Sequence, residues 1–407
     1  MNKNYTNNIK ILLIMIIITF IIENDYYYHI FGEKMKMKKG VRKFILTLHL
    51  VCSLVFGLFI IAVCATGSVL VFEDQIEHVL NPQYFKPASS ERNVGINEAE
   101  KVFQDHYKGF EITRLDVPSK LSDVYHANMS KGHNEIDAYI DPSNGKLLGN
   151  FDREASFVSF MKDLHTHLLL DDIGETIIGI VAIAFIIILI TGIYLWYPGI
   201  KRMFKSLKIK WNKSQMARNL SLHNFIGVIT LPFLLVVAIT GMLFPFQEKI
   251  EESLKLKFTS NYPEELKSVD NGKHQIGLDS ITAEIKKLHP EGELYKLRLP
   301  SDKEGVIEAQ LSDGTYDPKG KGNTSEFFDQ FSGKHLGSFS KNNETAYDKF
   351  LVWRHSLHRG TYGGVFVRTI YALVGIAPLG LGITGITMWA LKRRNKAKKM
   401  RKLQKVA

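Results

Sequence analysis

The sequence contains a tandem duplication, which constrains the fold more than any other feature of the chain. The segment Ala65–Phe72 (ATGSVLVF) recurs 174 residues later as Ile239–Phe246 (ITGMLFPF). A second pair, Thr191–Trp196 (TGIYLW) and Thr384–Trp389 (TGITMW), is offset by 193 residues. Because internal repeats set the architecture of a chain, both halves are predicted to contain the same elements in the same order.

Four hydrophobic segments accompany this repeat, two in each half. They run approximately over residues 44–72, 173–197, 224–246 and 365–391. Each is longer than the roughly 20 helical residues that cross a bilayer core of about 30 Å. The predicted fold class is therefore a membrane protein, mainly α, with a four-transmembrane-helix bundle that arose by tandem duplication.

The distribution of charge predicts the topology. Lys and Arg crowd residues 34–43, the loop between the second and third segments, and the C-terminal tail. The long stretches between are acidic, with 16 acids against 10 bases in residues 73–163 and 19 against 15 in residues 247–352. By the positive-inside rule, we expect a multi-pass membrane protein with both termini and the loop between the second and third segments cytoplasmic. The net charge of +11 thus reflects contact with the lipid bilayer and indicates no nucleic-acid binding.

The predicted domains follow this topology in chain order. They are an N-terminal extension (1–38), the first span (39–72), a first extracytoplasmic insert (73–163), the second span (164–197), a basic cytoplasmic loop (198–221), the third span (222–246), a second extracytoplasmic insert (247–352), the fourth span (353–391) and a basic cytoplasmic tail (392–407). The extension is interpreted as lying upstream of a true start at Met35 or Met37. A short membrane-associated extension is the alternative.

Each insert has the pattern of a small α+β module. Helical periodicity covers residues 96–107 in the first insert and 278–288 in the second, and strand-like alternating segments follow each helix. Both inserts finish on a similar phrase, GKLLGNF from Gly145 and GKHLGSF from Gly333. We therefore predict two modules, each with a helix packed on an antiparallel sheet.

The repeat selects four of the fourteen histidines. His49 maps onto His223 through the first offset, and His165 maps onto His358 through the second. Parallel repeats related by a pseudo-two-fold axis along the membrane normal place equivalent residues at the same depth. Each pair therefore predicts a bis-histidine site, one near each membrane face, that suits axial ligation of a b-type haem. The alternative is that each histidine is an interfacial polar residue at a helix end.

Other polar residues near these pairs are secondary candidates. His167 and His355 have no histidine as repeat equivalent, so they are alternates only. Arg359 and Arg368 lie beside the external pair, where guanidinium groups can contact haem propionates; snorkelling at the membrane boundary is the alternative. Seven histidines of the inserts are predicted to be surface residues: His78, His106, His126, His133, His274, His289 and His335.

The sequence also lacks several cofactor motifs. It contains no Gly-x-Gly-x-x-Gly turn after a strand, no Walker loop and no nucleophile elbow. The chain therefore has no recognisable nicotinamide, flavin or nucleotide site of its own. Electrons that it carries have to come from a quinol or from another protein such as a reductase.

Four phrases carry a resemblance to a known family. They are Leu48-His49 through Thr66-Gly67-Ser68 to Phe72, Leu164-His165 with Gly174 and TGIYLW, Leu222-His223 through Pro232 to Thr240-Gly241, and Trp353 with Leu357-His358-Arg359-Gly360 to Met388-Trp389. Together they resemble the PepSY-associated transmembrane family, the iron-regulated membrane proteins that include ferric-siderophore reductases of the bacterial inner membrane.

The resemblance implies four helices with periplasmic PepSY-like modules and, in the reductase members, two b-type haems. Those haems carry electrons across the membrane to Fe(III) held by a siderophore. Carried onto this sequence, the axial ligands are the same four histidines. One departure is that Leu50 and Asn224 follow the two cytoplasmic histidines, where many relatives have Arg, which weakens the case for a propionate partner there.

Three functional hypotheses follow. The leading one is a dihaem transmembrane electron-transfer protein, a ferric-chelate reductase that acts on a ferric siderophore or another ferric chelate on the periplasmic side. The alternative is a non-redox PepSY-type binding or regulatory protein for a peptide, protease or siderophore, without haem. The third is transport of the chelate. The four spans contain no obvious broken helix and no charged residue at the membrane midplane, and both features argue against transport.

Overall fold

The computed structural model describes nine ranges of the chain: residues 39–119, 123–132, 134–152, 155–255, 266–270, 272, 275–312, 324–340 and 345–404. The predicted N-terminal extension lies outside these ranges, and so do His133 and His274.

The described residues form twelve α-helices and eight strands. The helices are α1 (Lys39–Leu70), α2 (Glu73–Leu80), α3 (Ile96–His106), α4 (Phe157–Thr166), α5 (Asp171–Trp196), α6 (Met203–Ser206), α7 (Gln215–Met242), α8 (Gln247–Leu254), α9 (Leu278–Leu288), α10 (Ala346–Arg359), α11 (Gly364–Gly375) and α12 (Ala377–Gln404). The strands are β1 (Glu111–Asp116), β2 (Tyr125–Lys131), β3 (Asn134–Ile140), β4 (Leu147–Asp152), β5 (Glu293–Arg298), β6 (Val306–Ser312), β7 (Thr324–Asp329) and β8 (His335–Ser340).

Among the described residues, four helical segments are long and apolar enough to cross a membrane, as the sequence predicts. They are Gly40–Leu70, Asp171–Trp196, Gln215–Met242 and Thr361–Lys398. The shortest has 26 residues, which at about 1.5 Å per residue exceeds a bilayer core of about 30 Å.

The fourth segment differs from expectation because it is interrupted. Helix α11 ends at Gly375 and α12 begins at Ala377. Pro378 lies in the first turn of α12, and proline has no N–H to donate to the carbonyl four residues before it. An unbroken helix through this point would leave the Val374 carbonyl without its partner.

The chain divides into two compact units. The first comprises the residues up to Val69, Asp163–Gln247 and the residues from Thr369 onward. It therefore contains nearly all of α1, α5, α7 and α12. Its apolar core is built from large side chains of α1, α5 and α7, among them Ile60, Phe185 and Leu234.

The second unit comprises Leu70–Lys162 and Glu248–Arg368. Its eight strands form one antiparallel sheet in the order β4-β3-β2-β1-β5-β6-β7-β8. The two inserts are thus not two separate modules, because β1 pairs with β5 with Leu115 opposite Leu297. Each four-stranded half otherwise presents β1 or β5 as an unpaired edge, and the pairing removes both edges.

The two insert helices pack on one face of this sheet. Their side chains Phe103 and Ile281 are fully buried and share one hydrophobic core with Leu115 and Leu297. The helix N-termini also cap each other, since Asn97 Oδ1 accepts from the Asp279 backbone N–H at 3.0 Å and Asp279 Oδ1 accepts from the Asn97 N–H at 3.4 Å. The mainly-α description therefore holds for the spans, whereas the inserts form a single α+β layer pair.

Candidate functional site

Two of the four selected histidines lie close together in the first unit. The ring centroids of His49 on α1 and His223 on α7 are 6.5 Å apart, and the ring planes cross at 82°. His49 is the tenth residue after the start of α1 and His223 the eighth after the start of α7. At about 1.5 Å per residue, both rings lie at similar depths from the ends of the helices.

The His49 ring is held by helix α5 through its Nδ1 atom. Nδ1 lies 3.1 Å from the Ile188 carbonyl and 3.0 Å from Thr191 Oγ1. The Thr191 hydroxyl donates its hydrogen to the Ile187 carbonyl at 2.6 Å. Since a carbonyl only accepts and this hydroxyl has no further hydrogen, Nδ1 must carry the imidazole proton. Nε2 is then the basic nitrogen, able to bind a metal ion.

The His223 ring has the same environment on α12. Its Nδ1 lies 3.0 Å from Thr384 Oγ1, and it also hydrogen-bonds to the Leu381 backbone carbonyl. Thr384 donates to the Gly380 carbonyl at 2.8 Å. His49 Nδ1 and His223 Nδ1 thus each bond to a threonine hydroxyl that already donates its hydrogen to a backbone carbonyl. Both rings therefore present Nε2 for ligation.

His165 repeats this arrangement against α1. Its Nδ1 lies 2.8 Å from the Val63 carbonyl and 3.2 Å from Thr66 Oγ1. The Thr66 hydroxyl donates to the Ala62 carbonyl at 2.9 Å. Three selected histidines thus share one set of acceptors: a threonine hydroxyl and the carbonyl three residues before that threonine.

The glycine that follows each threonine lies against the same ring. A Cβ atom added to Gly67 would be 2.9 Å from His165 Cε1, one added to Gly192 would be 3.3 Å from His49 Cε1, and one added to Gly385 would be 3.9 Å from His223 Cε1. The sequence predicts that such glycines make room for a macrocycle or for close helix packing. In the structure these three make room for the imidazole rings.

The three threonines are functional candidates that the sequence reasoning missed. Thr66, Thr191 and Thr384 all belong to the duplicated Thr-Gly phrases that defined the repeat. The repeat therefore marks these threonines in the sequence, but their role as hydrogen-bonding partners of the histidines was not predicted. We refer to each Thr-Gly pair with its bound imidazole as a histidine seat.

The PepSY-associated TM region, a protein family, matches residues 46–392 of this chain. The chain belongs to this family. The match includes all four selected histidines and both inserts, and it begins within α1 and ends within α12. A comparison with curated proteins finds no match.

The fourth histidine of this PepSY-associated protein lies in the second unit. His358 is in the last turn of α10, which ends at Gly360 in the left-handed conformation with φ 69°. His165 belongs to the first unit. The pairing of His165 with His358 stays a prediction from the repeat.

The two candidate arginines bind protein groups at the start of the first insert. Arg359 forms an ion pair with Glu73. Arg368 donates to the Val71 carbonyl and to Gln75 Oε1, and its guanidinium lies 4.9 Å from the centre of the Phe72 ring. Both side chains thus have structural partners, and their contact with propionates stays a prediction.

The alternate ligands have polar neighbours of their own. His167 Nδ1 lies 2.7 Å from Thr166 Oγ1 and 3.4 Å from an Asp163 carboxylate oxygen. His355 Nε2 lies 3.4 Å from an Arg359 nitrogen. Neither contact is a histidine seat, and the ranking of both residues as alternates stays a prediction.

One histidine of the inserts is not a surface residue, contrary to expectation. His126 on β2 has 17% of its side chain exposed and lies between Asp116 and Asp137, at 3.1 and 3.0 Å. Its ring stacks on Tyr139 with centroids 4.6 Å apart. Desolvation opposes its charge, but the two carboxylates raise the pKa of His126 above its ordinary value. The ion pairs could not be predicted because they join β1, β2 and β3 across the sheet.

Two further histidines enclose a buried carboxylate. Glu326 on β7 is 1% exposed, and its two oxygens accept from His289 Nε2 at 2.7 Å and His335 Nε2 at 2.6 Å. Across the described ranges, no group of three or more His, Cys, Asp or Glu side chains could hold a metal ion.

Proposed function

We propose that this protein is a dihaem transmembrane electron-transfer protein that reduces a ferric siderophore or another ferric chelate during iron acquisition. The observation that carries the proposal is the His49–His223 pair, in which both imidazoles are fixed through Nδ1 and present Nε2. Hydrogen bonding of the outer nitrogen orients a histidine ligand and raises its basicity.

The spacing of the two rings fits a metal between them. Metal–nitrogen bonds to histidine are about 2 Å long. Two imidazoles on opposite sides of one ion therefore have centroids about 6 Å apart, close to the observed 6.5 Å. Two histidine ligands suit a haem, whose porphyrin supplies four further nitrogens and whose iron supplies one-electron redox chemistry.

The second haem of the proposal follows from the repeat. The His165 seat has the same threonine hydroxyl, carbonyl and glycine as the other two seats. The repeat assigns His358 as its partner ligand. By this reasoning the His49–His223 site lies near the cytoplasmic face of the inner membrane and the His165–His358 site near the periplasmic face.

The overall reaction must balance in electrons. A quinol that is oxidised to a quinone gives up two electrons and two protons, which suffice to reduce two ferric ions to ferrous ions. A reductase partner that delivers single electrons reduces one ferric ion for each. The ferrous ion binds hard oxygen ligands less strongly than the ferric ion does, so reduction releases iron from such a chelate.

Absorption spectroscopy of the full-length protein tests the proposal. Protein produced with ample haem is expected to show a Soret band and, after dithionite reduction, an α-band of low-spin b-type haem. Replacement of His49 or His223 by Ala should remove one haem, and replacement of His165 or His358 should remove the other. A haem-free protein that still binds a ferric chelate would refute the proposal in favour of a non-redox binding function.

A further inference from the structure

Three buried N–H groups in the first unit have no acceptor within the described part of the chain. They are the indole Nε1 atoms of Trp196 and Trp389 and the side-chain amide Nδ2 of Asn219. Buried polar groups in proteins are nearly always hydrogen-bonded, and a donor without a partner needs an explanation. Here all three groups can only donate, so the missing partner must be an acceptor.

These donors lie on the helices that carry His223 and the seats of the His49–His223 pair. Trp196 and Trp389 are repeat equivalents, and each follows its seat threonine by five residues, about 7.5 Å along the helix. Asn219 precedes His223 by four residues, so it lies one turn away on the same face of α7. All three are displaced from the histidines toward the helix ends that carry the Lys- and Arg-rich segments, which we call the basic end.

Positive charge accompanies the two indoles. Arg42 Nη2 lies 3.5 Å from the carbonyl of Leu195, the residue before Trp196. The Arg393 guanidinium lies 4.8 Å from the centre of the Trp389 ring. A place that combines neutral N–H donors with nearby guanidinium groups favours an anionic acceptor, and carboxylate oxygens are the strongest such acceptors among biological groups.

Lipid headgroups do not explain these donors. Tryptophan is common at membrane interfaces, where its N–H reaches the headgroup region. The Trp196 and Trp389 nitrogens are instead shielded by protein atoms. By contrast, Trp211 and Trp353 are 61% and 51% exposed.

We propose that Trp196, Trp389 and Asn219 bind the propionate carboxylates of the haem held by His49 and His223. The assignment rests on the proposed function and adds to it the orientation of the cofactor, with its propionate edge toward the basic end. These residues are positioning residues, because their N–H groups contact the periphery of the cofactor and not its iron.

Haem titration of the full-length protein tests the assignment. The H165A/H358A background leaves only the His49–His223 site, and Soret absorbance follows binding of haem b or of haem dimethyl ester, whose propionates are uncharged. A hydrogen bond to a charged group corresponds to roughly tenfold or more in affinity. W196F/W389F and N219A are each expected to weaken haem b binding by at least about tenfold, while binding of the diester changes by less than about twofold.

The matched control is W211F/W353F, which makes the same substitutions at exposed positions and should leave both affinities unchanged. Equal haem b affinity for W196F/W389F and the parent would overturn the assignment, and so would an equal loss for haem b and the diester, which indicates packing alone. Unchanged haem affinity with a raised KM for a quinol would assign the donors to a quinol instead. Failure of the parent protein to bind either haem would refute the proposed function itself.

Discussion

A graded steric series at the seat glycines tests the geometry of the histidine sites most directly. Gly67, Gly192 and Gly385 each follow a seat threonine within a helix, but they differ in their distance from the imidazole. An added Cβ would lie 2.9 Å from His165, 3.3 Å from His49 and 3.9 Å from His223. Replacement by Ala thus applies the same chemical change at three separations.

The expected magnitudes follow from these distances. Ordinary contact begins at 3.4 Å, so Gly67→Ala must displace the His165 ring or its helix by at least 0.5 Å. Overpacking of this kind costs about 1–3 kcal/mol, which corresponds to roughly 5- to 150-fold in affinity. Gly192→Ala requires a shift of only 0.1 Å and should cost less than about 1 kcal/mol. Gly385→Ala meets no close atom, and its higher helix propensity favours the folded protein by up to about 1 kcal/mol.

Haem titration measures the affinity of each site separately when the two histidines of the other site are replaced by Ala. Gly67→Ala is measured in the H49A/H223A protein, and the other two variants in the H165A/H358A protein. Thermal unfolding of the haem-free variants checks that a loss of affinity is not a loss of fold. The expected order of affinity loss is Gly67, then Gly192, with Gly385 unchanged. Equal losses at all three positions, or a greater loss at Gly385 than at Gly67, would refute the seat geometry.

Three further predictions follow from the structure. Thr191→Val removes one of two acceptors of His49 Nδ1, so haem affinity at that site should fall about 10-fold or more. The matched control Thr387→Val lies at a half-buried position and removes a hydroxyl that donates to the Ile383 carbonyl of its own helix, so it should have no effect in the same titration. The ring planes of His49 and His223 are nearly perpendicular. Electron paramagnetic resonance of the oxidised, haem-loaded protein should therefore show a strongly anisotropic low-spin ferric signal. A signal typical of parallel imidazole planes would contradict this geometry. Burial opposes the charge of Asp141, but hydrogen bonds from Ala88 and Ser143 lower its pKa. The carboxylate therefore stabilises the fold fully above its unfolded pKa of about 3.9, and this stabilisation is lost as the pH falls through the lower folded pKa. Asp141→Asn should reduce the dependence of the unfolding temperature on acidic pH, and an unchanged dependence would show that Asp141 does not stabilise the fold in this way.

The sequence predicted the elements of this fold better than their assembly. Helix α9 begins and ends where the periodicity placed it, at Leu278 and Leu288, and α3 begins at Ile96 as expected. Such patterns are local, because each depends on a few neighbouring residues. The pairing of β1 with β5 joins residues about 180 positions apart, and nothing in either strand records its partner.

The same difference between local patterns and long-range assembly explains why the prediction of a surface position for His126 was wrong. His126 follows Tyr125 in an alternating segment, so the pattern alone places it on the polar face of a strand. Whether that face is solvated depends on Asp116 and Asp137, which reach it from β1 and β3. Burial of the cluster is therefore a property of the assembled sheet, and single-strand alternation cannot report it.

The histidine seats show which long-range contacts a sequence repeat can predict and which it cannot. The offsets paired His49 with His223 because equivalent residues of parallel repeats share a depth, but they did not say what holds each ring. Each seat that the structure shows pairs a histidine with a Thr-Gly phrase of another helix, His49 with Thr191, His223 with Thr384 and His165 with Thr66. Each seat thus joins two helices of the same half of the chain. A duplication that preserved His49 without preserving its threonine would have left Nδ1 with the Ile188 carbonyl alone of its two acceptors, inside apolar helices where a poorly paired donor is costly. The phrases Thr-Gly and Leu-His recur together because each is the hydrogen-bonding partner of the other.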